Sequence, residues 1–330
     1  MRPTPFNVFE SIRSSSARAG ILSCLLVLAF TPLEPMSAQT GRAATLQPDP
    51  PSHCDDCAEW NAPRAPFQVF GNTYYVGPAG VSALLIVGDQ GHILLDGGVP
   101  QSATVIDANI RASGFRTTDV KVILTSHGHY DHVGGVHALQ RYTGATVVGS
   151  AATVLALAAG RPTPDDPQYP GPGPSVHDFA AVDNTRAAAD GEVIRVGALA
   201  VTVHYTPGHT PGATTYSWRS CVGDRCLDLV YADSLSSISN DSFRYTGDGT
   251  HPSIVDRFRQ SIATVSALPC DIMISTHPSA SGLDDKLARR TAGRIAPGAP
   301  GDPLVDPGGC KAYAATAKAA LDARVKSEAR

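Results

Sequence analysis

The sequence lacks an excess of positive charge. Its 26 lysine and arginine residues are outnumbered by 30 aspartate and glutamate residues, which gives a formal net charge of −4. The two signs are mixed along the chain, without the basic stripe that gathers nucleic-acid phosphates. We therefore expect no nucleic-acid partner. A hydrophobic content of 42% over 330 residues is ample for a sizeable buried core.

The chain also lacks an apolar run long enough to span a membrane. The apolar run at residues 21–30 ends before Pro32, whereas a transmembrane helix needs about 18 or more apolar residues. Arginines precede this run and small residues follow it, which is typical of a signal peptide cleaved near Ala38. We predict a signal peptide over residues 1–38, export to the periplasm and no membrane anchor in the mature form.

Cysteine is sparse, but its number is informative. Removal of the signal peptide takes Cys24 with it and leaves six cysteines in a compartment where disulfides persist. We expect one pair to close a short hairpin loop and another to tie the C-terminal helix to a core strand. These pairs are Cys221–Cys226 and Cys270–Cys310.

Residues 39–66 are rich in Pro, Ala and Asp and predict a loosely ordered lead-in to the domain. This segment contains Cys54 and Cys57 at a CxxC spacing. Such a spacing can indicate a zinc site, but no second CxxC or His pair accompanies it. A local disulfide is therefore the favoured interpretation.

Hydrophobic patterning predicts an α/β protein over residues 67–330. No short-period repeat is present. In each half of this region, strands cluster before helices, which favours two sheets packed face to face with helices outside, a four-layer αββα sandwich. The predicted strands are Thr73–Val76, Ser82–Val87, His92–Asp96, Val120–Ser126, Thr146–Gly149, Val193–Val196, Leu199–Tyr205, Thr214–Trp218, Asp228–Ala232 and Asp271–Ser275. The predicted helices are Ala103–Ala112, Gly135–Tyr142, Ala151–Ala159, Ile254–Leu268 and Lys311–Arg324.

Metal-ligand residues are concentrated after the predicted strand Val120–Ser126, whose continuous apolar run indicates burial on both faces. His127, His129, Asp131 and His132 fall within six positions. Imidazole nitrogens and a carboxylate oxygen suit Zn²⁺, and a compact loop lets several of them converge. A lone histidine is more often a packed or surface residue, and that interpretation is favoured for His53, His92, His137, His177, His204 and His251.

Two further histidines stand at the ends of predicted strands. His209 lies in a Pro/Gly turn between two strands, where the backbone is tightly held. His277 follows the buried run Asp271–Ser275 and precedes Pro278. Both positions predict side chains that reach the same rim as the loop after Val120–Ser126.

Together these motifs resemble the metallo-β-lactamase superfamily, whose His-x-His-x-Asp-His pattern is intact at residues 127–132. The resemblance extends from about Phe67 to Cys310. Four further stretches are similar to the third subclass of class B β-lactamases, where serine stands in place of the metal-ligand cysteine of the other subclasses. These stretches are residues 91–98, 207–212, 231–236 and 276–281.

The resemblance implies two Zn²⁺ ions and hydrolysis of penicillins, cephalosporins and carbapenems, which would confer antibiotic resistance. A zinc-bound hydroxide would attack the lactam carbonyl, and Asp131 would help to move the proton. The implied ligands are His127, His129 and His209 for the first zinc, and Asp131, His132 and His277 for the second.

The resemblance also implies how substrate would be held. Ser236 would donate a hydrogen bond to the carboxylate beside the lactam ring, and Ser234 would bind a water on the second zinc. An equal alternative is that both serines only satisfy backbone groups at this strand end. Asp96 would orient a ligand or a loop amide, or form the turn before Gly97. The Pro-rich loop Arg161–Ser175 should border the cleft.

A lactonase or a glyoxalase II-like thioesterase is the alternative, because the same loop serves those enzymes. Many of them bridge the two metals with an aspartate. Asp233 stands beside Ser234, and strand register decides which side chain faces the metals. A scaffold that had lost its chemistry would have a damaged ligand set, whereas all six positions are intact. We take a monomer acting on a small-molecule substrate as the default.

Overall fold

Short strands with alternating apolar residues build two mixed sheets in this computed structural model, which describes residues 45–330. The first sheet has seven strands in chain order, antiparallel from β1 to β4 and parallel from β4 to β7. They are β1 (Phe67–Phe70), β2 (Thr73–Tyr75), β3 (Leu84–Ile86), β4 (His92–Leu95), β5 (Val120–Leu124), β6 (Thr146–Gly149) and β7 (Thr185–Ala187). The predicted signal peptide, residues 1–38, lies outside the described residues.

The second sheet has five strands in the order β12-β11-β10-β9-β8. They are β8 (Val193–Val196), β9 (Leu199–Tyr205), β10 (Thr214–Val222), β11 (Arg225–Ala232) and β12 (Ile272–Ser275). Strands β8 to β11 are antiparallel neighbours, whereas β12 pairs parallel to β11. Strands β9, β11 and β12 therefore run in the same direction, and their C-terminal ends meet at one edge.

The helices are α1 (Cys57–Trp60), α2 (Ser102–Ala112), α3 (Tyr130–Val133), α4 (Val136–Thr143), α5 (Ala151–Ala159), α6 (Val255–Ala267), α7 (Leu283–Gly293) and α8 (Gly309–Glu328). Helices α2, α4 and α5 cover the outer face of the first sheet, and α6 and α8 cover that of the second. In residues 45–330, none of the helices is long and apolar enough to cross a membrane.

Side-chain alternation divides the core into layers. On β4, Ile93 and Leu95 pack between the sheets, while Leu94 packs outward against α2 and α4. On β11, Tyr231 faces the first sheet and Val230 faces α6 and α8. Successive strand residues point to opposite faces, so each sheet is apolar on both sides. The predicted four-layer αββα sandwich is confirmed.

The structure contains the disulfides Cys54–Cys57, Cys221–Cys226 and Cys270–Cys310. Cys221 and Cys226 pair directly across the β10–β11 hairpin. Cys270 lies two residues before the start of β12, and Cys310 lies in the first turn of α8. The latter bridge therefore fixes the last helix to the edge strand of the second sheet.

The segment predicted as a loose lead-in is packed against the domain from residue 45 onward. It contains α1 and the disulfide between Cys54 and Cys57. The backbone N–H of Gly80 donates to Trp60 O at 3.3 Å, and the Ser102 hydroxyl donates to Asn61 Oδ1 at 2.7 Å. These contacts hold Trp60 beside the end of β12, where its ring centroid lies 5.6 Å from that of His277.

Candidate metal centre

The fold brings the loops at one edge of the two sheets together. The first group of chemistry-bearing residues follows β5 and continues into α3, with His127 and His129 in the loop and Asp131 in the helix. His209 follows β9, and His277 follows β12. Because parallel strands end at the same edge, the three segments converge although 150 residues separate His127 from His277 in the chain.

Three buried imidazoles form the first cluster. One nitrogen of each of His127, His129 and His209 lies within 4.8 Å of the others. The side chains are almost fully buried, and Nε2 of His127 has no hydrogen-bond partner among the described residues. A buried, unpartnered imidazole nitrogen is costly unless something else binds it, and a metal ion meets that need.

The outer nitrogens of two of these rings are held by acceptors. His127 Nδ1 lies 2.7 Å from Asp233 Oδ1, and His209 Nδ1 donates to Ser236 O at 3.1 Å. Such contacts fix the tautomer and leave the Nε2 lone pair for a metal. Burial first, then the neighbouring histidines, lowers the pKa of His127 well below its usual value and that of His209 to about 3. Both rings are neutral, as metal ligands must be.

The third ring is oriented by a residue that the sequence analysis missed. Nε2 of His129 lies 3.1 Å from each carboxylate oxygen of Asp166, which leaves Nδ1 to face the cluster. Asp166 belongs to the Pro-rich loop Arg161–Ser175 and is only 4% exposed. The only available signal was an Asp pair between prolines, which does not distinguish a buried carboxylate from a turn residue.

The second cluster contains Asp131, His132 and His277. Asp131 Oδ2 lies 3.0 Å from His132 Nε2 and 3.3 Å from His277 Nε2, and the two nitrogens are 3.2 Å apart. An outer contact again positions one of the rings, because His277 Nδ1 lies 3.3 Å from Gly80 O. Three donor atoms of types that zinc prefers therefore lie close enough together to bind a single ion.

Electrostatics keep the carboxylate of Asp131 charged. Burial disfavours the charged form, but the adjacent His132 and His277 outweigh burial and hold the pKa of Asp131 well below its usual value. His127, Asp131 and His132 also lie within 4.8 Å of one another, so the two clusters are contiguous. The donor set therefore fits two neighbouring divalent metal ions.

Asp96 supports the ligand loop. Its carboxylate accepts the Ser126 N–H at 2.7 Å, the Ser126 hydroxyl at 2.7 Å and the Tyr231 hydroxyl at 2.8 Å. Its Oδ2 also lies 3.7 Å from His132 Nδ1. The residue has a left-handed φ of 59°, a conformation that Asp tolerates better than most side chains. Asp96 thus joins β4, the loop after β5 and β11 through one buried group.

At the end of β11, consecutive residues face different surroundings. Asp233 is fully buried behind His127, whereas Ser234 lines the cavity and lies 2.9 Å from Thr276 through their hydroxyl oxygens. The Ser236 hydroxyl is 3.0 Å from His209 Nδ1 and also lines the cavity. The strand register therefore presents serines to the centre and keeps the Asp233 carboxylate behind a ligand.

The two clusters open into a cavity of about 610 Å³. Trp60 from the lead-in, Gln168 from the Pro-rich loop and Tyr313 of α8 are among the residues that line it. None of these three was predicted as a site residue, because nothing near them in the sequence carries a ligand or catalytic pattern. The Pro-rich loop borders the cavity through Gln168, whose Nε2 lies 3.5 Å from His209 Nε2.

Comparison with known proteins places these observations in a family. Residues 76–222 match the metallo-beta-lactamase superfamily. Among curated proteins, the chain is 29% identical over 175 residues to a hydroxyacylglutathione hydrolase of Bradyrhizobium sp. (strain ORS 278), an alignment covering 53% of each chain. The chain thus spans about half the length of the curated relatives it matches.

Solved structures are similar over a larger share. The Rm3 metallo-beta-lactamase shares 45% sequence identity at a TM-score of 0.79, with 84% of this chain and 100% of that chain covered. MEM-A1, a subclass B3 metallo-beta-lactamase isolated from a soil metagenome library, shares 45% identity at a TM-score of 0.76, with 82% and 98% covered. The fold, the converging ligand loops and these alignments together show that the chain belongs to the metallo-β-lactamase superfamily, with subclass B3 enzymes among its structural neighbours.

Proposed function

We propose that this chain is an exported dizinc hydrolase that opens the β-lactam ring of penicillins, cephalosporins and carbapenems and so confers antibiotic resistance. The observation that carries the proposal is the end of β11, where Ser234 and Ser236 face the cavity and Asp233 binds His127 Nδ1 at 2.7 Å. The expectation for a lactonase or a thioesterase of this superfamily is an aspartate between the metals. The similarity to subclass B3 structures supports the same choice.

The six-residue ligand set would hold two zinc ions. Zinc, when bound, lowers the pKa of a coordinated water to about 7 and polarises a carbonyl oxygen. The first ion would be held by His127, His129 and His209, whose outer nitrogens are already fixed. The second would be held by Asp131, His132 and His277.

Asp131 has a second task in this proposal. Its contacts to His132 and His277 both use Oδ2, so Oδ1 is free of these two histidines, and the side chain lines the cavity. A charged carboxylate at this position can accept the proton of the attacking water and pass it to the lactam nitrogen as the C–N bond breaks. Asp131 is therefore the proposed catalytic residue.

Substrate binding falls to the serines at the end of β11. The proton on His209 Nδ1 can be accepted by the backbone oxygen of Ser236, which lies 3.1 Å away. The neighbouring Ser236 hydroxyl therefore keeps its own proton available and can donate it to the substrate carboxylate. Ser234 and Thr276 form a hydroxyl pair on the side of the second cluster. This pair would hold a water there.

Thioester hydrolysis is the second candidate. It is favoured by the similarity to hydroxyacylglutathione hydrolases over 175 residues. That alignment covers 53% of the Bradyrhizobium protein, so nearly half of that protein has no counterpart in it.

A substrate panel separates the two candidates. The purified protein should be assayed with a penicillin, a cephalosporin, a carbapenem, a homoserine lactone and a glutathione thioester, each with and without a metal chelator. We expect chelator-sensitive turnover of the lactams. Clear lactone or thioester turnover without lactam turnover would overturn the proposal.

Export is part of the proposal and has its own test. The full-length chain should yield a periplasmic product shortened by about the length of a signal peptide, with its new N-terminus near residue 39 by mass spectrometry. A full-length product that remains in the cytoplasm would contradict export.

A further inference from the structure

The Pro-rich loop Arg161–Ser175 reaches the metal centre through a buried carboxylate. Asp166 is 4% exposed, and both of its oxygens lie 3.1 Å from His129 Nε2. The backbone N–H of Gln168 donates to Asp166 Oδ1 at 2.8 Å, which fixes the carboxylate within its own loop. The contact therefore joins a positioned carboxylate to a buried imidazole.

This contact selects one of the two possible tautomers of His129. A carboxylate that faces Nε2 requires a proton there, which leaves the lone pair on Nδ1. Nδ1 is also the nitrogen that remains for the cluster with His127 and His209. In the other two rings, Nδ1 is held and Nε2 remains. His129 thus depends on an acceptor placed on the opposite side, and Asp166 provides it.

The loop that carries Asp166 also contacts the rest of the domain at other points. Asn240, in the segment after β11, donates its backbone N–H to Pro167 O and its side-chain amide to Tyr169 O, both at 2.9 Å. Gln168 Nε2 lies 3.5 Å from His209 Nε2, and Arg161 Nε lies 3.5 Å from Asp178 Oδ1. Because Asp166 belongs to this loop and both of its oxygens face His129, a change at His129 acts directly on the loop.

We propose that Asp166 is a positioning residue that fixes His129 for metal binding and thereby couples metal occupancy to the order of the Pro-rich loop. The coupling is reciprocal: if the loop, held by the contact between Asp166 and His129, strengthens metal binding, a bound metal must favour that arrangement of the loop by the same factor. The inference rests on metal binding by His129, a part of the proposed function, and not on the identity of the substrate.

The first test measures the zinc affinity of the mature protein, without the proposed signal peptide. Competition with a chromophoric zinc chelator should show that Asp166→Asn weakens binding of one of two ions by about 10- to 100-fold, the usual effect of losing such an outer carboxylate. Asp165→Asn is the matched control, because Asp165 is exposed and bonds only to the Thr163 hydroxyl in the described part of the chain. Equal affinities in Asp166→Asn and Asp165→Asn would overturn the proposal.

The second test does not depend on the variant folding well. Hydrogen–deuterium exchange should be followed in peptides covering residues 161–175 of the wild-type protein, with zinc and with chelator. We expect zinc to slow exchange in this loop, and Asp166→Asn to remove most of that difference. Equal exchange rates in the wild-type loop with zinc and with chelator would overturn the coupling. Two bound zincs without lactam turnover would refute the proposed function and leave the coupling intact.

Discussion

Asp233 and Ser234 are adjacent in the chain and have opposite roles in the site. The sequence analysis could place both at the end of a strand, but a one-residue change of register reverses every side chain. The direction of Asp233 is set by the pairing of β11 with β12 and β10, which places Ala232 opposite Ser275. In this register, the Asp233 side chain points to His127. Residue type and spacing were enough to propose the six ligands, whereas the position of Asp166 depends on a contact across 37 positions of the chain.

At the residue scale, His277 tests the second metal position. His277→Ala should reduce the zinc content of the protein from two ions to one. It should also lower kcat by about 100- to 1000-fold, the range seen when a single stabilising group is lost. Metal analysis and steady-state kinetics measure the two effects. His204→Ala is a suitable control, since His204 lies on β9 and bonds Ser217; a His277→Ala protein with two zincs and full activity would show that this ligand is misassigned.

Ser236 tests how the substrate is held. Ser236→Ala removes a hydrogen bond to a charged carboxylate, worth about 1.5–3 kcal/mol. It should therefore raise KM by roughly 10- to 150-fold while kcat changes little, since the interaction is present before and during reaction. Zinc content should remain at the wild-type level because the Ser236 backbone oxygen still accepts from His209. Ser242→Ala, at an exposed position, is the control. A fall in kcat at constant KM would contradict this role.

At the scale of elements, patterning predicted the long apolar strands and missed the short or polar elements. Helix α7 buries only Leu283 and Arg290, so no helical apolar period exists to detect. Strand β7 has three residues and no buried one, and α1 and α3 have four residues each. These elements form because contacts with neighbouring elements stabilise them. The prediction that β5 is buried on both faces was wrong at Lys121, which is exposed.

The end of α8 stabilises the segment that follows β11. The Glu328 carboxylate accepts the backbone N–H of Tyr245 at 3.0 Å and that of Thr246 at 2.8 Å, and its side chain is only 6% exposed. Arg324 donates to Ser239 Oγ at 2.7 Å in the same segment. The last helix therefore fixes the loop that begins at Ser234 and Ser236.

Replacement of Glu328 should reveal this support. Glu328→Gln should lower the free energy of unfolding by about 1–3 kcal/mol, because a charged acceptor of buried backbone donors is lost. Asp322→Asn on the same helix is the control and should change the free energy of unfolding much less, since its pairs with Lys318 and Arg259 are exposed. Urea denaturation measures both. Equal effects would mean that Glu328 is no more than a surface ion pair.

At the scale of the whole molecule, the sequence predicted the layers but not the packing of the lead-in. Two β-rich halves, each with helices after its strands, leave a face-to-face sandwich as the arrangement that covers every apolar face. The position of Trp60 over the end of β12 depends on contacts with Gly80 and Ser102, which no local pattern reveals.

The disulfides should differ in what they contribute to the stability of the whole chain. Cys270–Cys310 spans 40 positions and Cys221–Cys226 spans five. By loop-closure entropy, the first should contribute about 4 kcal/mol and the second about 2 kcal/mol. Denaturant unfolding of the paired Cys→Ser variants checks this difference. A larger loss from opening the hairpin bridge than from opening the long-range bridge would contradict the expectation.

The proposed ligands of the metal centre are divided between the two halves of the sandwich. His127, His129, Asp131 and His132 come from the first sheet, and the second sheet adds His209 and His277. Neither half alone offers a complete set of donors for either ion that we propose. We therefore expect both ions to acquire their full sets of ligands only after the halves have docked, late in folding.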